Sequence, residues 1–130
     1  MILVDTSVWI DYFNGKKNRQ TDKLHELLSV EQIIIGDIIL TEILQGFRKD
    51  SDFKKAKAAL DFLQCYSITN KKIAIRSAEN FRALRKKGVT IRKTTDMLIA
   101  TFCIENDIPL LHNDRDFIPM KKLGLQVVSA

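Results

Sequence analysis

The sequence predicts an α/β domain: a mainly parallel sheet of about five short strands with helices on both faces, in three layers. Two observations carry that expectation. Apolar runs of a length suited to buried strands recur along the chain. Between them lie longer stretches with apolar residues at helical spacing. Strands alternating with helices imply crossover connections, and hence parallel pairing. At 130 residues the chain can bury one core and not two, so residues 1–130 read as a single domain.

Ile2-Leu3-Val4 is the first apolar run, ended by Asp5-Thr6-Ser7. A helix is expected over 21–29. Ile33-Ile34-Ile35 repeats the strand pattern and stops at Gly36-Asp37, where Asp37 reads as the N-cap of a helix over 37–49. Another helix covers 53–63, and Tyr66-Ser67-Ile68 is a weaker strand. A long helix spans 71–87. Thr94-Thr95 then caps a helix over 94–106 that is apolar nearly all round, and is therefore expected to be buried. Ile108-Pro109-Leu110-Leu111 is the third clear strand before His112-Asn113-Asp114, and 125–128 is a second weak one.

Composition places the chain among globular proteins: 45% apolar, 28% charged, with only 5 Gly and 2 Pro. The opening has no basic leader, which argues against a signal peptide. The longest apolar cluster, 33–40, is interrupted by Gly36 and Asp37 and cannot cross a bilayer. Cys65 and Cys103 have apolar or aromatic neighbours and read as two buried, reduced thiols. A cytoplasmic protein without a membrane partner is expected.

The net charge of +5 is unevenly spread. From Lys71 to Lys93 there are nine basic residues and a single acid, Glu79. Such a stretch attracts polyanions, although a basic solvated helix face would look similar. On a helical projection of 71–87, Lys72, Arg76, Arg82, Lys86 and Lys87 share one face. Ile73, Ala74, Ala78, Phe81 and Leu84 are expected to line the other. Arg92 and Lys93 then lead to Asp96. Arg82, Lys86, Arg92 and Lys93 are the candidate nucleic-acid contacts.

Carboxylates appear where open α/β sheets do chemistry, beyond the carboxyl ends of strands. Asp5 follows the first strand; Asp114 and Asp116 follow the third. One such acid is commonly only a helix cap, but two strands ending in acids are less easily dismissed. Glu42 falls at the border of the apolar arc formed by Ile38, Ile39, Leu40, Ile43, Leu44 and Phe47, with Gly46 one turn on. A border glutamate can equally lay its stem on apolar surface with its head in water. Asp96 sits in the first turn of the buried helix, where a helix dipole alone would favour it. Collected together, these acids would repel one another unless a cation neutralised them. Magnesium and manganese prefer oxygen ligands, and a hard cation beside a basic groove suits phosphodiester hydrolysis.

Together these segments resemble the PIN-domain nucleases, in particular the VapC toxins of toxin–antitoxin pairs. Ile2-Leu3-Val4-Asp5-Thr6-Ser7-Val8-Trp9-Ile10 looks like that family's first strand and metal-binding aspartate. Ile38-Ile39-Leu40-Thr41-Glu42-Ile43-Leu44-Gln45-Gly46 is similar to its glutamate-bearing helix. Thr95-Asp96-Met97-Leu98-Ile99-Ala100, Ile108-Pro109-Leu110-Leu111 and Asn113-Asp114-Arg115-Asp116-Phe117 resemble the remaining motifs. Each is short, but four in register span essentially the whole chain.

The resemblance implies Asp5, Glu42 and Asp96 as catalytic and metal-holding acids, with a fourth from the last loop. Asp114 is favoured there, and Asp116 is kept as a participant. Thr6, Ser7 and Asn113 would support the site. His112, where many relatives carry Thr, reads as a helper or structural residue, since no metal-ligand histidine spacing exists. The resemblance further implies a magnesium or manganese cofactor, an RNA substrate, a small VapB-like antitoxin and a homodimer. Trp9, Tyr12 and Phe13 read first as core, with part of the group available to the dimer.

Three other classes fit less well. A phosphoacceptor receiver would need a paired acid after the first strand, where Thr6-Ser7 stands, and an acid ending the third, where Thr69-Asn70-Lys71 stands. An aspartyl phosphatase would need an acid at Ser7. A non-catalytic nucleic-acid-binding module accounts for the basic stretch and leaves the four matched acids unexplained.

Overall fold

A computed structural model describes all 130 residues. Strands β1 (Ile2–Val4), β2 (Ile33–Gly36), β3 (Gln64–Tyr66) and β4 (Leu110–Leu111) form one sheet in the order β3-β2-β1-β4. Every pairing is parallel, with Leu3 opposite both Ile34 and Leu110. Helices α1 (Thr6–Phe13), α2 (Arg19–Leu28), α3 (Asp37–Gln45), α4 (Asp50–Leu60), α5 (Lys71–Lys86) and α6 (Thr94–Glu105) flank the sheet, and a 3-10 helix covers Arg115–Leu123. No helix is long and apolar enough to cross a membrane.

The central strands explain why the core lies along the sheet. β1 and β2 are buried at every residue, so Leu3, Val4, Ile34 and Ile35 meet helices on both faces, as continuous apolar runs require. At the end of β2 a side chain on Gly36 would run into Ile68, so a glycine lets the following segment close over the strand.

The sheet has four strands and not five. Over 125–128 only Val127 bridges Leu110, because β4 offers just two residues as a partner. Leu125 instead enters the core just after Gly124, whose φ of 103° turns the chain out of the 3-10 helix.

Helix α1 is absent from the sequence reading. Its residues Val8, Trp9, Ile10, Tyr12 and Phe13 are β-branched or aromatic, poor helix formers by themselves. Asp5 caps it by accepting from the Ser7 N–H, and packing on α2 and α3 supplies the rest. Trp9 is buried and stacks on Phe13, which meets Phe47 edge-on at 5.9 Å, so this aromatic group is core packing.

Other boundaries shift for local reasons. Helix α3 ends at Gln45, and Gly46 is its C-cap where the apolar periodicity suggested continuation to 49. Asp37 is the first helical residue and not the cap; its Oδ1 accepts from the N–H groups of Ile38 and Ile68, tying α3 to the segment after β3. Thr94 likewise begins α6, with Lys93 in the capping position.

Two burial expectations are corrected. Cys103 is buried, but Cys65 is exposed, because β3 is an edge strand with a solvent-facing side. On α5 the buried stripe is Ile73, Ser77, Asn80 and Leu84, while Ala74 and Ala78 are exposed. Asn80 donates to Thr101 at 3.1 Å, a buried polar pair that joins α5 to α6 and that apolar spacing does not reveal.

Candidate active site

Parallel strands bring their carboxyl ends to one side of the sheet. Val4 pairs with Leu111, and the Asp5 N–H donates to the Leu111 carbonyl at 2.9 Å. The acid after β1 therefore lies beside the 112–116 loop. Helix α3 adds Glu42, and the first turn of α6 adds Asp96. Asp5, Glu42, Asp96 and Asp114 line one pocket of about 270 Å³. Other clefts are larger, among them a groove of about 650 Å³ between α5 and α6 and a hollow of about 520 Å³ between α1 and α2. None of the larger ones gathers four carboxylates.

Short polar contacts hold the acids. Ser7 donates its hydroxyl to Asp5 Oδ2 at 2.6 Å and its N–H to the same oxygen at 3.1 Å. The Ser7 Oγ also accepts from the Asn113 N–H at 3.1 Å, linking α1 to the last loop. The Thr6 hydroxyl donates to Glu42 at 2.8 Å, joining α1 to α3. In the loop, the His112 Nδ1 accepts from the Asp114 N–H at 3.2 Å, and Asp114 Oδ1 accepts from the Asp116 N–H at 2.9 Å. The His112 ring also packs 5.0 Å from Phe117. Burial lowers its pKa, and its Nδ1 acceptor steadies the loop.

The electrostatics are those of crowded acids, two of them buried. Asp5 is 4% exposed, and burial raises its pKa despite the Ser7 hydrogen bonds, with Glu42 adding repulsion. Asp96 is pushed up to about 7, first by burial and then by Asp5, Asp114 and Asp116, with Lys93 opposing. Its Oδ2 is buried with no hydrogen-bond partner. Carboxylate oxygens of Asp96, Asp114 and Asp116 lie within 4.8 Å of one another. An orphaned buried oxygen among converging acids fits a hard divalent cation.

The basic candidates separate. Lys93 lines the carboxylate pocket. The Arg92 guanidinium donates to Asp116 Oδ2 at 3.1 Å, so Asp116 faces both the acid cluster and a cation. Arg82 lines the α5–α6 groove, and Lys86 is exposed further along α5. Two other pocket residues escaped the sequence reading, Ile10 and Gln45. Gln45 was legible three residues beyond Glu42; Ile10 depended on an unrecognised helix.

Fold and site together define a parallel α/β domain with a carboxylate cluster suited to a divalent cation. The PIN domain family model matches residues 2–123, and the chain belongs to that family. It is 32% identical to the Mycobacterium tuberculosis protein named Ribonuclease VapC11, over 99% of this chain and 98% of that one. It is also 32% identical to Ribonuclease VapC1 of Methanocaldococcus jannaschii, covering 97% and 85% of the two chains. Among solved structures, it resembles a chain of VapBC2 from Rickettsia felis bound to a promoter DNA fragment. That likeness has a TM-score of 0.78 at 23% identity, covering 98% of each chain.

Proposed function

We propose that this protein is a metal-dependent endoribonuclease and the toxin of a type II toxin–antitoxin pair. The observation that carries the proposal is the buried, unpartnered Asp96 Oδ2 among Asp5, Glu42 and Asp114. In these roles Asp5, Glu42, Asp96 and Asp114 hold magnesium or manganese, and Asp116 supports the cluster. A cation held there would supply activation of a water for attack on the phosphate and charge stabilisation for the departing 3′-oxygen. Ser7 and Thr6 fix the orientation of Asp5 and Glu42, and the Asn113 N–H fixes Ser7. Lys93 faces the scissile phosphate across the acids, and Arg92, Arg82 and Lys86 hold the neighbouring backbone.

A two-histidine mechanism has no basis in the chain. His25 and His112 are its only histidines. His25 meets the Tyr12 hydroxyl at 3.0 Å beside the α1–α2 hollow, and His112 uses Nδ1 on the Asp114 backbone. Cleavage then leaves a 5′-phosphate and a 3′-hydroxyl. The test maps the ends of a cleaved RNA pool with and without chelator. Ends carrying 2′,3′-cyclic phosphate, or full activity in chelator, would overturn the mechanism.

The partners in this proposal are RNA, a small antitoxin and a second copy of the chain, all in the cytoplasm. For the antitoxin, support comes from the resemblance to a VapBC structure. For the second copy, it comes from the open groove where Ala74, Ala78, Phe81 and Leu98 present apolar surface; Arg82 borders both this groove and a separate cleft lined by Lys86 and Lys87, the side proposed for RNA. Light scattering tests the dimer, and growth arrest on expression without a partner tests the toxin role.

A further inference from the structure

We propose that Ile10 and Gln45 select the nucleotide flanking the cut, reading its base while the acids act on its phosphate. The inference rests on the ribonuclease proposal above and goes beyond it, from a phosphodiester in general to a sequence preference.

The geometry begins at the Thr6–Glu42 hydrogen bond, which locks α1 to α3 at 2.8 Å. Ile10 lies four residues beyond Thr6 on α1, and Gln45 lies three residues beyond Glu42 on α3. Residues at those spacings share a helix face, about one turn or ~5 Å further along. Both line the carboxylate pocket. They line it from the side of α1 and α3, whereas Lys93 and Asp96 come from the start of α6 and Asp114 from the loop after β4.

The chemistry of that side differs from the floor. Ile10 is 41% exposed, and it is the single apolar side chain lining a pocket otherwise made of acids, hydroxyls, an amide and a lysine. A lone exposed aliphatic group elsewhere on a surface needs no explanation. At the mouth of a charged site it offers the one surface on which the flat face of a base can be desolvated. Gln45 is exposed beside it. Its amide presents a donor and an acceptor together, the pairing that matches a base edge bidentately, adenine above all. Isoleucine has no polar atom to offer metal or phosphate, and a neutral amide adds little beside the pocket's four carboxylates and Lys93, whereas a base edge uses its donor and acceptor together. Bases of single-stranded RNA, splayed from the stack, are recognised by this combination of packing on one face and edge hydrogen bonds.

The test uses the full-length chain and a randomised single-stranded RNA pool, with the nucleotides around every cut read by sequencing. Wild type should show a preference at one position flanking the cut. Gln45→Ala should reduce discrimination there by about tenfold, the size of one bidentate amide–base pair, while rates at disfavoured sites persist. Gln45→Glu, which replaces the donor with acceptors only, should change which base is preferred. Ile10→Ala should raise KM about three- to tenfold with kcat retained, in keeping with lost apolar burial. Both side chains are exposed on helix surfaces, and circular dichroism checks that each variant folds. Unchanged base preference in both Gln45 variants would overturn the inference and leave the ribonuclease proposal standing. A wild type that cuts no RNA with magnesium or manganese overturns the ribonuclease proposal and this inference with it.

Discussion

The pocket floor and the outer face of α5 both concentrate charge, and they treat it in opposite ways. At the floor, Asp5 and Asp96 are buried, their pKa values raised, and one Asp96 oxygen has no partner. Along α5, Lys72, Arg82 and Lys86 stand in solvent. Water and salt screen the second group, whereas the first repels itself in a medium that screens poorly. Charge that costs stability points to chemistry; charge that costs nothing points to attraction at a distance.

The sharpest way to break this contrast is to neutralise the floor. Asp5→Asn, Glu42→Gln or Asp96→Asn should each remove more than the ~100-fold in activity that loss of a supporting hydrogen-bond partner typically costs. An amide keeps the shape but binds a divalent cation poorly, so each variant should still fold, with equal or greater stability in chelator. Nuclease rates and thermal melts measure both. Wild-type rates in all three variants would sink the assigned site.

Ser7→Ala removes the 2.6 Å hydrogen bond to Asp5 and the acceptor for Asn113. Activity should fall about 10- to 100-fold, with the apparent metal affinity weakened, as for other partners that orient ligands. A metal titration of the nuclease rate separates this from simple unfolding.

The floor should also show itself in stability against pH. Because the folded chain raises Asp96 to about 7 from an ordinary 3.8, it binds the proton more tightly than the unfolded chain does. In chelator, the Tm of wild type relative to Asp96→Asn should be highest near pH 4, fall by several degrees between about pH 4 and 7, and level off above. Asp5, also raised, acts in the same direction. Adding magnesium at pH 8 should restore Tm by binding the folded form. A wild-type Tm that rises relative to that of Asp96→Asn from pH 4 to 7 in chelator would contradict the crowded-acid description.

Neutralising Arg82, Lys86 and Arg92 together should weaken RNA binding and lower its salt slope by about 0.7 for each phosphate left without its cation. Stability should hardly change, since only Arg92 has an ion pair, and its guanidinium is largely exposed. An unchanged slope would reduce this face to a solubility feature. The smallest effect is expected from Cys65→Ser on the exposed sheet edge, within about 0.5 kcal/mol of wild type and with full activity.

How much was legible from the chain alone follows the range of the forces involved. Ile2-Leu3-Val4 and Ile33-Ile34-Ile35 declare buried parallel strands through local pattern, and that pattern with the intervening helical periodicity is enough for an α/β class. Asp5, Glu42 and Asp96 stand out because a strand end, an apolar border and the first turn of a buried helix are all sequence-local settings. Tertiary packing alone turned Val8 to Phe13 into a helix, against its propensity, by capping it with Asp5 and burying Trp9. It left Cys65 in solvent because β3 became an edge, and it reduced the final apolar run to one bridge because β4 is two residues long. It also placed Ile10 and Gln45 in one pocket and joined Arg92 to Asp116. A residue's own neighbours determine what element it favours; which element is last in a sheet, and which side chains meet across helices, depends on contacts between distant parts of the chain.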